Sequence, residues 1–290
     1  MEYIIFDLEW NNAYNYKLKK GMNEILEIGA LKLDDRLEIV DTFKQLIKPR
    51  LSKKLRSSFK NLTHITMDEI RRDGVDFDIA FNDFARWCGG GDVLFLSWSS
   101  SDLYTLVENF KKFKESADIP FIRKYADAQK YCMRFIDDAD AGAQISLANC
   151  AAKFDIDVNT DNLHRALEDC YVTAYCIKKV FDEKLISDYI KNCNVEFFER
   201  LVFKNYYILT PDCDDFKLSD VKFNCEHCNK ELKIMNNYEL VNNTFRNTGK
   251  CPSCNKSYWL SVRAKRTYDN VIVTKKVIQI SKKRARELKH

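Results

Sequence analysis

The chain has 290 residues, 46% hydrophobic and 31% charged, the balance of an ordinary globular protein with room for one full domain and a smaller second one. No apolar run reaches the ~18 residues that cross a bilayer. The start, Met1-Glu2-Tyr3-Ile4-Ile5-Phe6-Asp7, has no basic segment and reads as a buried strand rather than an export signal, so the expectation is a cytoplasmic protein with no membrane partner. The net charge of +4 hides an asymmetry, because residues 217–290 hold 17 Lys and Arg against 6 Asp and Glu. A basic C-terminal stretch beside an acidic body suits a polyanion partner; the plainer reading is a solvated basic surface.

In chain order, Glu2–Trp10 reads as a strand from its β-branched and aromatic run, Glu24–Leu33 as a second and Ile39–Ile47 as a third, with Asp34-Asp35-Arg36 as the turn between the last two. Three consecutive strands suggest an antiparallel meander. Asp78–Cys88 is predicted helical, with Ile79, Phe84 and Trp87 at apolar spacing and Gly89-Gly90-Gly91 as its stop. Asp92–Trp98 is a short buried strand, a helix follows over 102–114, and Phe121–Asp127 is a fifth strand. Helices are predicted over 146–154, 165–183 and 185–203. The order βββαβαβαα gives an α/β fold, a mixed five-stranded sheet with flanking helices, over residues 1–184. A helical extension and linker spans 185–221. A β-rich module follows over 222–290, ending in a basic tail, Lys282-Lys283-Arg284-Ala285-Arg286.

Asp7 and Glu9 lie two apart at the end of the first strand, so both carboxylates point to one face. Paired like charges repel unless a cation neutralises them, and hard divalent ions take such oxygens. Alone, the pair reads better as two solvated acids at a strand end. Asp102, just after the strand Phe95-Leu96-Ser97, reads alone as the N-cap of the next helix. Asp169 reads alone as one more acid on a solvated helix. His164 lies five residues before it, about 140° around a continuous helix, so it fits better in the loop entering that helix.

Together the blocks Phe6-Asp7-Leu8-Glu9, Glu27-Ile28-Gly29-Ala30, Leu62-Thr63-His64-Ile65-Thr66, Trp98-Ser99-Ser100-Ser101-Asp102 and His164-Arg165-Ala166-Leu167-Glu168-Asp169 resemble the DEDDh (DnaQ-like) 3′→5′ exonuclease family across residues 1–184. Two positions depart from the family pattern: Ser99 and His64 stand where the family often has glycine. The resemblance implies a ribonuclease-H-like fold and a catalytic set of Asp7, Glu9, Asp102, Asp169 and His164. The four carboxylates would hold two Mg²⁺ or Mn²⁺ ions and the histidine would act as general base. That set suits phosphodiester hydrolysis, which needs an activated water and a stabilised leaving oxygen; imidazole titrates near neutrality and can take the water's proton. Leu8, Trp10, Thr63, His64 and Ile65 match positions that wrap the terminal nucleotide, and Trp10 or His64 could stack on a base. Core or rim packing is the alternative role for all five.

Cys225-Glu226-His227-Cys228 and Cys251-Pro252-Ser253-Cys254 form two CxxC knuckles, 22 residues apart. Four thiolates close a tetrahedral shell and select one structural Zn²⁺, and the segment resembles a zinc ribbon whose metal supplies folding energy. Basic residues interleaved with aromatics surround the knuckles, as suits single-stranded nucleic acid; Tyr258 and Trp259 are expected to pack the small core. The other cysteines (Cys88, Cys132, Cys150, Cys170, Cys176, Cys193 and Cys213) are scattered among apolar neighbours, which fits a reducing compartment. The expected function is a metal-dependent 3′→5′ exonuclease on single-stranded RNA or DNA, RNA being favoured because Asp-Leu-Glu-Trp resembles RNA-processing branches of the family. The alternatives are a DNA-directed exonuclease and a nucleic-acid or protein-binding module on a dormant nuclease fold.

Overall fold

The computed structural model describes residues 1–15, 20–136, 144–158 and 164–281; the basic tail from Lys282 lies outside them. The chain forms two compact units, Met1–Val202 and Phe203–His290.

In the first unit, β1 (Glu2–Asn15), β2 (Lys20–Leu33) and β3 (Ile39–Leu46) make the expected antiparallel meander. Three helices follow, α1 (Ser57–Thr63), α2 (Met67–Asp73) and α3 (Phe77–Cys88). Then β4 (Val93–Ser97) inserts parallel to β1, α4 (Ser101–Phe113) crosses over, and β5 (Lys124–Asp127) lies parallel to β4. The remaining elements are α5 (Ala128–Met133), α6 (Leu147–Lys153), α7 (Ala166–Val180), α8 (Glu183–Ser187), β6 (Lys191–Asn192) and α9 (Val195–Val202). The sheet order is β3-β2-β1-β4-β5-β6. The five expected strands are all present, and the two-residue β6 extends them at the edge. It also breaks the helix expected over 185–203 in two: β6 pairs antiparallel with β5, and the Cys193 N–H donates to Arg123 O at 2.8 Å.

The sheet is covered on both faces. Ile4, Phe6 and Leu8 of β1 enter a core with α3, α4 and α9, whereas Tyr3 and Ile5 enter a second core with α5, α6 and α7. This two-residue alternation assigns every later side chain of β1 to a layer. Along α3 the buried set is Phe77, Ala80, Phe81, Phe84 and Cys88, and Ile79, expected inside, is 50% exposed. An i, i+3, i+4 stripe starting at Phe77 leaves position 79 on the outer side.

The second unit is a sheet of order β10-β12-β13-β14, from β10 (Lys233–Ile234), β12 (Thr244–Lys250), β13 (Ser257–Arg266) and β14 (Val271–Ile280). β7 (Tyr206–Tyr207) pairs with β13, β11 (Glu239–Val241) pairs with β12, and β8 (Asp212–Cys213) with β9 (Phe216–Lys217) forms a small hairpin. Ile208, Phe216, Phe223, Phe245, Tyr258, Leu260 and Val262 fill its core. All eleven cysteines are free, and all of the scattered ones but Cys213 are buried.

Candidate active site

Asp7 and Glu9 follow Tyr3 and Ile5 on the β1 face that meets α7. In the β1–β2 ladder Asp7 pairs with Gly29 and Glu9 with Glu27, and the register slips immediately after Glu9, so Trp10 meets Ile25. A bulge beside a functional pair is a common device for ending one face and re-aiming the chain.

Gly29 decides how Asp169 arrives. A Cβ built there would lie 2.2 Å from the Leu167 amide nitrogen and 2.4 Å from the Ala166 carbonyl carbon. No side chain fits that gap, so the first turn of α7 comes directly onto β2. The Cys170 thiol donates to Gly29 O at 3.4 Å. Asp169, in that first turn, then meets the strand pair: oxygens of Asp7, Glu9 and Asp169 all lie within 4.8 Å of one another. Asp102 joins from α4. It is 3% exposed, and its Oδ1 accepts the Leu8 N–H at 3.2 Å. It is therefore not the N-cap of α4, a position taken by Ser100. The first helical turn turns Asp102 inward, onto the main chain between Asp7 and Glu9.

Two buried acids hold this assembly. Glu27, 0% exposed, accepts from Arg165 Nη2 at 2.6 Å and Nε at 3.1 Å, and from the Ala166 N–H at 3.2 Å, while Arg165 Nη2 also donates to Glu69 at 3.2 Å. The pair ties β2 to the entry of α7. Glu24, 1% exposed, accepts the N–H groups of Arg50, Leu51 and Ser52 at 2.6–2.7 Å and so shapes the loop leading into α1. Sequence reasoning assigned neither acid a role. Glu27 and Arg165 stood inside two of the quoted blocks, and nothing local marked Glu24.

The two departures from the family pattern both fall at left-handed backbone, with φ 82° at Ser99 and 58° at His64, which explains why glycine suits those positions. At Ser99 the conformation is held through its carbonyl, which accepts from Ser97 Oγ at 2.6 Å and Tyr125 OH at 2.9 Å. His64 is the C-cap of α1, its N–H donating to Lys60 O.

Burial, with repulsion from neighbouring acids, raises all four carboxyl groups. Asp7 is pushed well above its ordinary range by burial, then by Asp102, Glu9 and Asp169. Glu9 is pushed up to about 9 by burial and then by Asp169, Glu27 and Asp102, with Arg165 opposing. Asp102 rises to about 8, chiefly by burial, against the lowering effect of the Leu8 N–H. Asp169 rises by burial, against the His164 N–H. Acids held so far from their preferred charged state need cations. The donor set is all oxygen, as Mg²⁺ and Mn²⁺ require, so such ions fit these residues.

His164 lies outside α7, at φ 73° and exposed, just before the N-cap Arg165. Its main-chain N–H donates to Asp169 Oδ1 at 3.2 Å, leaving the imidazole uninvolved in that bond. Of the positions matched to nucleotide wrapping, Leu8, Thr63 and Ile65 are buried at 2%, 1% and 0% exposure. Thr63 Oγ1 is engaged by Phe59 O and the Ile65 N–H. Those three can meet a substrate only through main chain, whereas the Trp10 and His64 side chains reach the surface.

In the second unit, the Sγ atoms of Cys225, Cys228, Cys251 and Cys254 lie within 4.8 Å of one another, with contacts of 3.4 Å for Cys225–Cys254, 3.4 Å for Cys228–Cys251 and 3.9 Å for Cys228–Cys254. Four sulfurs 2.3 Å from a tetrahedral ion would sit about 3.8 Å apart, so the cluster fits zinc. The Tyr258 hydroxyl lies 3.0 Å from Cys225 Sγ, supporting one ligand from the core.

Residues 4–177 match the RNase_T family model, described as exonuclease. The chain belongs to this exonuclease family. It is a metal-dependent 3′→5′ exonuclease on a ribonuclease-H-like fold, with a cysteine cluster that fits a zinc ribbon. Among curated proteins the exonuclease is 27% identical over 186 residues to the probable 3′-5′ exonuclease KapD of Bacillus subtilis (strain 168), covering 62% of this chain and 84% of that one. Among solved structures it is similar to the nuclease domain of 3′hExo, described as a DEDDh family member bound to rAMP. There the TM-score is 0.53 at 22% identity, over 64% of this chain and 92% of that chain. It is also similar to cell-death related nuclease 4 (CRN-4), with TM-score 0.52 at 20% identity, over 66% of this chain and 65% of that chain, just under two thirds. Among the described residues no helix is long and apolar enough to cross a membrane.

Proposed function

We propose that this exonuclease removes nucleotides from the 3′ end of single-stranded RNA. In this reading Asp7, Glu9, Asp102 and Asp169 hold two Mg²⁺ or Mn²⁺ ions and His164 acts as general base. The observation that carries it is the convergence of Asp7, Glu9 and Asp169 within 4.8 Å, with Asp102 buried against the same turn of chain. When bound, a pair of divalent ions supplies charge neutralisation at the phosphate and a lowered pKa for the attacking water. The protein's own residues do the rest. Gly29 and the Glu27–Arg165 pair hold Asp169 against the strand, and His164 stands at the rim, where its imidazole takes the water's proton. Trp10 and His64 offer exposed ring surface for the terminal base, and Leu8, Thr63 and Ile65 offer main chain to its sugar.

Three further parts belong to this reading. The preference for RNA is supported by the Asp-Leu-Glu-Trp strand end and by the rAMP bound to the similar nuclease domain of 3′hExo; a DNA-directed exonuclease is the alternative. One structural Zn²⁺ would sit on the four cysteines of the second unit. The buried free thiols fit the cytoplasm.

The test is a 5′-labelled RNA and a DNA of the same sequence, incubated with Mg²⁺ or Mn²⁺ beside Asp7→Ala/Glu9→Ala. A one-nucleotide ladder on RNA, weaker on DNA and absent in the double variant, is expected. An equal or stronger ladder on DNA would overturn the RNA preference. No ladder on either would overturn the reading and favour a binding module.

A further inference from the structure

The second unit carries a surface that the carboxylate site does not use. β13 alternates strictly: Tyr258, Leu260, Val262 and Ala264 are buried, and Trp259, Ser261, Arg263 and Lys265 occupy the other face. Trp259, expected in the core, is therefore outside it and partly exposed, because its parity is opposite to that of Tyr258. The ladders extend this outer face across the sheet. Arg246 pairs with Ser261, Lys276 with Ser261 from the other side, Ile278 with Trp259 and Tyr207 with Lys265. Directly paired residues share a face, so Trp259 and Tyr207 lie in one plane with Arg246, Arg263, Lys265 and Lys276. Ile278, beside Trp259, is 53% exposed, and Arg263 lies 5.4 Å over the Tyr207 ring. The strands of this sheet contribute one acid, Glu239, which pairs with Arg246 at one edge of this face.

We infer that this sheet face is a second binding surface for single-stranded nucleic acid, separate from the carboxylate site. The cations match a phosphate backbone and release its counterions. The flat indole and phenol rings offer faces to unpaired bases, which a duplex keeps stacked internally. Binding by charge and stacking is tolerant of sequence, because every base has a ring face and every nucleotide a phosphate. The inference rests on the reading of the chain as acting on nucleic acid.

The experiment measures anisotropy of labelled 16-mer oligo-dT and oligo-rU with the full chain in divalent-free buffer, where no cleavage confuses the signal. Arg246→Glu/Lys276→Glu should weaken binding about tenfold near 0.1 M salt and make the slope of log affinity against log salt shallower by about 1.5. Trp259→Ala should weaken it about tenfold with the salt slope unchanged. Lys217→Glu/Lys230→Glu, the same charge change off this sheet, should move it less than twofold. Zinc content and the circular dichroism spectrum establish that each variant is folded, and Trp259→Phe restores binding if Trp259→Ala loses it through stacking. Parental binding with unchanged face variants overturns the inference alone. Equal weakening by the control pair overturns it in favour of diffuse charge. A parent that binds neither oligomer overturns the underlying reading and the inference together.

Discussion

Replacing Glu9 by Gln should stabilise the metal-free protein. A carboxyl group whose folded pKa is raised costs nothing below its unfolded pKa. As pH rises above that value the unfolded chain releases the proton while the folded site retains it, so stability falls until the folded pKa is reached. For Glu9 that window runs from 4.5 to about 9. At about 1.4 kcal/mol per pH step, the cost at pH 7 is about 3 kcal/mol. Glutamine keeps the shape and removes the titration. A domain of roughly 200 residues shifts by about 2–4 °C per kcal/mol, so the variant should melt about 6–12 °C higher at pH 7. The difference should vanish near pH 4.5. The assay is a thermal melt followed at 222 nm, because among the described residues α1–α9 all lie in Met1–Val202. It is run in divalent-free buffer at pH 5, 7 and 8.5. Millimolar Mn²⁺ should reverse the order, because the parent gains stability from ion binding and the variant gains less. A Glu9→Gln protein less stable than the parent at pH 7 without ions, or a difference independent of pH, would refute the account of the site as a repulsive cation receptor.

Gly29→Ala should cost about 3 kcal/mol of stability from overpacking against main chain and abolish Mn²⁺-dependent turnover, because α7 must retreat and take Asp169 with it; melts and single-turnover rates check both. Glu27→Gln should cost about 1–3 kcal/mol by removing the buried partner of Arg165, which then keeps only its 3.2 Å contact with Glu69, read in the same melts. His164→Ala should lose about 10²–10⁴-fold in turnover yet keep its Mn²⁺-induced rise in melting temperature, because Asp169 is held by the main-chain N–H of residue 164 rather than by the ring. Cys228→Ser should drop zinc content from one equivalent toward zero and loosen the second unit, measured by metal analysis and proteolysis; a retained equivalent would contradict a four-cysteine shell.

The family blocks made the carboxylate set legible in the sequence, and the meander, β4 and α4 fell where they were expected, although β1 ends five residues later and β2 begins four residues earlier than the apolar pattern predicts. Roles within that set were less legible. Asp102 looked like a helix cap because capping is a local pattern, whereas its partner, the Leu8 N–H, lies 94 residues away. Glu24 gave no signal at all, since a buried acid is recognisable only once the loop amides it accepts are in place. The short α1, α2, α5 and β6 were missed because elements of two to seven residues carry little periodicity, although α6, as short as α1, was expected over 146–154.

By itself the sequence determined which residues share a face: Asp7 with Glu9 from their spacing of two, and four cysteines able to close one metal shell. Those are short-range properties of backbone geometry. Only the tertiary structure decided what meets those faces. The absence of a side chain at Gly29 is a single residue in sequence, yet it becomes the contact that brings α7 and Asp169 onto Asp7 and Glu9. The same holds for Trp259, whose composition suited either a core or a surface. The register of β13, set by Tyr258 and Leu260 entering the core, put it on the open face.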